Sequence, residues 1–227
     1  MASGDRPQFL ARAIRCFQRQ RYASRELIVV DDGEQPAQAL IPQDPRIRYL
    51  RLTQRTALGE KLNLAIEQAA GALVQKLDDD DWYAPDFLGR MVAALRGRDP
   101  TTAMAALDCF LVLIAHSGHL TFSGHGWFAG NSLCFHRRLW EKTRFRAVGR
   151  AEDWWFVNDH APLRVKVCAP QLAMVVRHRH GHAWSRMGDG DVTSWFERRP
   201  ALATPLSAVV DAEDFAFYRS LRASIQE

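Results

Sequence analysis

The stretch ALVQKLDDDDWYAP, residues 72–85, decides the fold. It sets four adjacent carboxylates, Asp78, Asp79, Asp80 and Asp81, straight after an apolar, strand-like run, and then an aromatic pair and a proline. Four like charges in a row repel. Crowded carboxylates either raise their pKa values or recruit a cation. Oxygen-only donors suit Mg2+ or Mn2+, and Mg2+ takes one or two protein carboxylates while substrate phosphates complete its shell. The plainer reading is a solvated acidic loop, with Asp81 or Asp86 capping the next helix.

Upstream, ELIVVDDG (26–33) is a second apolar run that stops at adjacent aspartates, Asp31 and Asp32. It reads as a buried strand ending in a turn, although Asp-Gly also marks ordinary turns. Between these runs, RIRYLRL (46–52) reads as a strand and LGEKLNLAIEQAAG (58–71) as a helix closed by Gly71. APDFLGRMVAALRG (84–97) reads as the next helix, and DRPQFLARAIRCFQRQ (5–20) as an earlier one with Asp5 as its cap. Strands alternating with helices argue for βαβ units and a mostly parallel sheet. In open α/β sheets ligands bind beyond the carboxyl ends of the strands, so the two aspartate clusters are expected to share one crevice.

Beyond residue 100 the rhythm changes. AMAALDCFLVLIAHSGHLTF (103–122) suggests one long or two short strands with a turn at Ser117-Gly118, and NSLCFHRRLWEKTRF (131–145) a strand then a helix. EDWWFVNDH (152–160) reads as a short helix, LRVKVC and LAMVVRHRH as strands, and EDFAFYRSLRASI near the end as an amphipathic stretch.

The 227 residues are enough for one sizeable core. A formal net charge of +4 permits anionic partners, and without a concentrated basic stripe it does not call for nucleic acid. Cys16, Cys109, Cys134 and Cys168 form no CxxC pair and sit in or beside apolar stretches. They read as buried free thiols of a cytoplasmic protein rather than a zinc site. The longest apolar run is interrupted by Asp108, so no membrane span is expected.

RELIVVDDG, the run from Gly59 through DDDDWYAPDFL, and GRAEDWWFV, taken in that order, resemble family 2 glycosyltransferases of the GT-A fold. The resemblance covers roughly residues 5–185 and implies a GT-A domain over 1–190, with residues 191–227 as a C-terminal helical appendage. It implies an inverting transfer of a sugar from a nucleotide-diphosphate donor, UDP favoured, to a hydroxyl acceptor (glycan, lipid or small molecule). Peripheral contact with a membrane stays open.

By the same resemblance Asp32 or Asp31 would recognise the base, and Asp78 would bind the ribose or share the metal. Asp80 would bind the metal ion, Mg2+ or Mn2+. Asp79 would lie on the nucleotide side, turn outward or tune the metal site. Lys61, at a helix N-terminus, would meet the diphosphate or the base, and it reads equally as a surface lysine. Asp153 would be the general base and Glu152 the acceptor-positioning acid; an acid pair favoured by a helix N-terminus is the plainer reading. His178, His180 and His182 share a face at period two, and His180 is the expected metal neighbour. Trp127, Trp154 and Trp184 are expected to meet sugar, since sugars pack apolar faces on aromatic rings, with core packing the alternative.

Family members begin with an apolar strand, and here only MASGD precedes the first helix. That strand is therefore expected to be missing, leaving a gap in the sheet and doubt about activity. The rival reading is a non-catalytic or truncated, inactive nucleotide- or sugar-binding module of the same fold.

Overall fold

The computed structural model describes residues 1–178 and 192–223. In chain order the elements are β1 (Ala2–Ser3), α1 (Pro7–Gln18), β2 (Leu27–Asp31), β3 (Ile47–Arg51), α2 (Leu58–Gln68), β4 (Leu73–Gln75), β5 (Trp82–Tyr83) and α3 (Phe87–Leu95). Then come β6 (Ala103–Cys109), β7 (Leu111–Ile114), β8 (His119–Phe122), β9 (Cys134–His136), α4 (Arg137–Lys142), α5 (Glu152–His160), β10 (Leu163–Cys168), β11 (Ala173–Arg177), α6 (Val192–Glu197) and α7 (Ala212–Ala223).

The first half follows the alternation in the sequence. β2 runs parallel to β3 from Leu27 opposite Ile47 to Asp31 opposite Arg51. All five residues of β2 are buried, which is why it reads as a continuous apolar run. The strands form three groups, ordered β1-β2-β3, β10-β6-β9-β4 and β5-β11-β7-β8. β10 pairs parallel to β6 and β11 parallel to β7, while β9, β5 and β8 add antiparallel pairs.

A short strand stands ahead of α1, where the sequence pattern left no room for one. Ala2 and Ser3 pair in parallel with Val30 and Asp31 of β2. The Met1 amino group is buried and donates to the Ile28 carbonyl at 3.0 Å. Leu27 and Ile28 on one side and Leu73, Val74 and Gln75 on the other line a cleft of about 600 Å3 between β2 and β4.

Three boundaries differ from the sequence reading. Helix α2 stops at Gln68, before Gly71, because Ala69 is already extended. Asp5 does not cap α1: it takes a left-handed conformation, φ 54°, and its Oδ1 accepts from the Glu34 N–H. Asp81 does not cap α3 either, since its oxygens accept from Asn131 Nδ2 and the Val176 N–H.

The C-terminal stretch packs on α1. Arg15 and Arg19 meet Asp211 and Asp214, and Trp82 Nε1 donates to Asp214 Oδ2 at 3.1 Å. Phe196, Val210, Tyr218 and Leu221 join the main hydrophobic core. Among the described residues no helix is long and apolar enough to cross a membrane.

Candidate active site

The acids after β4 alternate as the chain leaves the strand. Asp79 and Asp81 turn inward and are 1% and 6% exposed, while the Asp78 and Asp80 side chains keep 34% and 22% of their surface. The two partly exposed acids are the outer members of a DxD triplet. They share a pocket of about 140 Å3 with Asp79, Arg6, Lys76, Glu152 and Asp153. Acids more than seventy positions apart in the chain therefore meet in one place.

Basic side chains of the protein itself hold this cluster together. Arg6, just ahead of α1, places one guanidinium nitrogen 2.5 Å from Asp79 and another 2.6 Å from Asp80. His178 Nε2 lies 3.1 Å from the same Asp80 oxygen. Lys76 Nζ spans the two segments, 2.8 Å from Asp78 and 3.3 Å from Glu152. Charge-assisted contacts of this length are the strong ones, and they work against the cost of desolvation.

The pKa directions follow from burial against partners. Burial pushes the Asp79 carboxyl up to about 7, against the pull of Arg6. It pushes Asp81 well above the usual range, with Asp80 and Asp78 adding to the rise. Burial acts on Asp80 too, but the hydrogen bond from His178 and the Arg6 charge outweigh it and hold the group low. Glu152 is raised by burial, with Lys76 opposing. For Lys76 burial lowers the pKa, yet the charges of Asp78, Glu152 and Asp153 win and keep it protonated.

Helix α5 delivers Glu152 and Asp153 in its first turn. Ala151 ahead of it is left-handed, φ 57°, a conformation that costs a non-glycine residue about 1–2 kcal/mol. Glu152 turns inward to Lys76, and Asp153 sits against Gly130. A side chain at position 130 would place its Cβ 1.4 Å from Asp153 Oδ2, so only glycine lets the two segments close on each other.

The aspartates at the end of β2 are spent differently. Asp31 accepts from the Gly33 and Ala37 N–H groups and from the Tyr49 hydroxyl at 2.6 Å, so it builds its own turn. Burial would raise its pKa, but these hydrogen bonds prevail and lower it. Asp32 takes the Thr56 N–H at 3.0 Å and Lys61 Nζ at 2.8 Å. Lys61 also donates to the Ser3 carbonyl, and Ser3 Oγ donates to Asp79 at 2.7 Å. A continuous polar chain thus runs from Asp32 through Lys61, Ser3, Asp79 and Arg6 to Asp80.

Of the aromatic candidates, Trp154 is 57% exposed on α5 with its ring edge-on to Trp155. Trp127 stacks on Phe196 and donates Nε1–H to the Ser123 carbonyl, which suits packing. His180 and Trp184 lie outside the described residues. His178, two positions before His180, is the imidazole beside Asp80.

Arg6 and Lys76 were missed in the sequence. Arg6 sits in DRP, which reads only as a helix start, and nothing local marks it as the partner of residues seventy positions on. Lys76 could have been found: a lysine two positions before an acidic run, at the end of an apolar stretch, needs a carboxylate partner.

The donor chemistry fits a hard divalent cation. Asp78 and Asp80 offer carboxylate oxygens on the solvent side of the pocket, and among the described residues no sulfur lines it. Arg6 and His178 share the Asp80 oxygen that would turn to such an ion.

Comparison with known proteins gives the family and the fold. The model of "Glycosyl transferase family 2" matches residues 3–154. A putative colanic acid biosynthesis glycosyl transferase, WcaA, of Escherichia coli is 35% identical over 98 residues, which are 41% of this chain and 35% of that protein. An N-acetylglucosaminyltransferase of Bradyrhizobium elkanii is 28% identical over 108 residues, 44% of this chain and 59% of that protein. The chain thus spans less than two thirds of either relative. Among solved structures, the mannosyltransferase PcManGT of Pyrobaculum calidifontis, in complex with GDP-Man and Mn2+, superposes with a TM-score of 0.61 at 17% identity, covering 98% of this chain and 71% of that one. S. aureus TarS 1-349, in complex with UDP-GlcNAc, gives 0.61 at 14% identity, covering 80% and 59%. Identities this low speak to the fold, which is GT-A.

Proposed function

We propose, since the chain belongs to glycosyl transferase family 2 and is a transferase enzyme, that it moves a sugar from a nucleotide-diphosphate donor to a hydroxyl acceptor with inversion. The observation that carries this reading is the single pocket lined by Asp78, Asp79 and Asp80 from one segment and Glu152 and Asp153 from another. Asp153 takes the proton of the acceptor hydroxyl, whose oxygen attacks the anomeric carbon as the diphosphate leaves. Glu152, held by Lys76, orients the acceptor. Asp80 and Asp78 hold Mg2+ or Mn2+, which when bound stabilises charge on the departing diphosphate. Asp32, fixed by Lys61 and Thr56, faces the base, with UDP favoured over GDP or dTDP. Trp154 offers an exposed ring to the acceptor. The acceptor is a glycan, a lipid or a small molecule, and the reaction belongs in the cytoplasm.

The test is a thermal-shift series of UDP-, GDP- and dTDP-sugars with and without Mn2+. A ligand that binds only the folded state raises apparent stability. We expect one nucleotide to stabilise the protein, and to do so more strongly with Mn2+. A second reading draws on Arg6 and His178, which already engage Asp80: a non-catalytic module that binds its nucleotide without metal. Equal stabilisation with and without Mn2+, together with no turnover of any donor, would favour it.

A further inference from the structure

A different cluster lies outside this pocket, where β6 and β10 end. The two strands run in regular parallel register from Leu163 opposite Ala103 to Val167 opposite Leu107. A bulge then skips Asp108 and sets Cys168 opposite Cys109. Bulges re-aim side chains and recur beside functional sites. This one brings the Cys109 and Cys168 sulfurs to 3.8 Å. The loop after β8 turns back over them and presents His125, whose Nδ1 is 3.7 Å from Cys168 Sγ and 3.0 Å from Asp108 Oδ2. Gly124 and Gly126, at φ 81° and 99°, make that reversal on either side of His125.

All four donor atoms lie within 4.8 Å of one another. In a tetrahedral site with Zn–S bonds of about 2.3 Å, two sulfurs stand about 3.8 Å apart, and a sulfur and a nitrogen about 3.6 Å. The Cys109–Cys168 and Cys168–His125 spacings of 3.8 and 3.7 Å match these edges. Two thiolates, one imidazole and one carboxylate are a zinc-type donor set, softer than the oxygen set of the other pocket. The charges also close: two thiolates and Asp108 face a divalent ion and the Lys166 ammonium, which lies 3.1 Å from Asp108 Oδ1. Cys109 is buried, while Cys168 and His125 are exposed, so an ion can enter from solvent.

We propose that Asp108, Cys109, His125 and Cys168 form a structural zinc site that ties the loop over residues 123–129 to the end of the sheet. On binding, each thiol gives up its proton to solvent and the sulfur lone pair forms the bond to Zn2+; no electron is transferred. Without the ion the Cys109 thiol stays protonated, since burial and its neighbours push it up to about 12. The pinned loop leads straight into Gly130, against which Asp153 is packed. The site therefore fixes the approach to the acidic pocket without taking part in its chemistry.

The test uses the full chain, reduced, stripped with EDTA and titrated with Co2+, then Zn2+. We expect one Co2+ per chain with thiolate-to-cobalt charge-transfer absorption, discharged by one equivalent of Zn2+. The carboxylates of the other pocket cannot give that band. Cys168→Ser and His125→Ala change exposed side chains and should keep the wild-type circular dichroism while losing at least about tenfold in affinity, as losses around metal sites do. No charge-transfer band in the wild type would overturn the proposal. So would a band of unchanged affinity in both variants, or a Cys109–Cys168 disulfide in the freshly isolated protein with no zinc bound.

Discussion

At the end of β2, Asp31 turns into the protein, where a tyrosine hydroxyl and two backbone N–H groups take its oxygens, and Asp32 is held by the Thr56 N–H and Lys61. At the end of β4 the acids alternate, two buried and two opening into a pocket that Glu152 and Asp153 share. Both are adjacent aspartates at the carboxyl end of an apolar run. What separates them is what surrounds them: a turn in one case, a cleft with long-range cations in the other. Asp31 should govern stability and the acids of the pocket chemistry.

Substitutions can break or sharpen that contrast. The largest effect is expected at the general base: Asp153→Asn should lower kcat by about 10²–10⁴-fold with little change in melting temperature. Gly130→Ala should cost about 10²-fold, because its methyl group would occupy the place of the Asp153 carboxylate, and displacements of that size are costly. Arg6→Ala should destabilise by about 3 kcal/mol in urea unfolding, since Asp79 and Asp80 lose their shared counter-charge. Tyr49→Phe should cost about 1.5–3 kcal/mol through the bond to Asp31 and leave kcat within a few fold. An activity loss there as large as that at Asp153 would erase the distinction between the two regions.

A further contrast is in pH. A carboxyl raised from its ordinary 3.8 to about 7 holds its proton longer in the folded state than in the unfolded chain. The folded state then binds more protons between those values, so Asp79 contributes stability at low pH that is lost as pH rises from about 4 to about 7. Asp79→Asn should flatten the stability profile across that window. A profile as steep as that of the wild type would count against this reading.

Much of the frame was legible because it depends on local pattern. The apolar run of β2, the alternation in β3 and the helical spacing of α2 each follow from neighbours in sequence. β1 was not, because two residues carry no periodicity and only pairing with Val30 and Asp31 makes them a strand. The acids of the pocket could be singled out by their position after apolar runs, but not their partners. Arg6 and His178 reach them through the tertiary fold, whereas Lys76 stands beside the run in sequence. The cysteines show the same limit more sharply. They read as scattered buried thiols, yet Cys168 is exposed and a one-residue bulge sets it beside Cys109.

The most direct test is sugar turnover from the stabilising nucleotide sugar with Mn2+, measured side by side on wild type, Asp80→Ala, Asp153→Asn and Tyr49→Phe. We expect turnover in wild type and Tyr49→Phe, and losses of at least about 10²-fold in the other two, the scale of removing a group that stabilises the transition state. Wild-type rates in Asp80→Ala and Asp153→Asn would contradict the assignment of chemistry to the pocket that these two acids share.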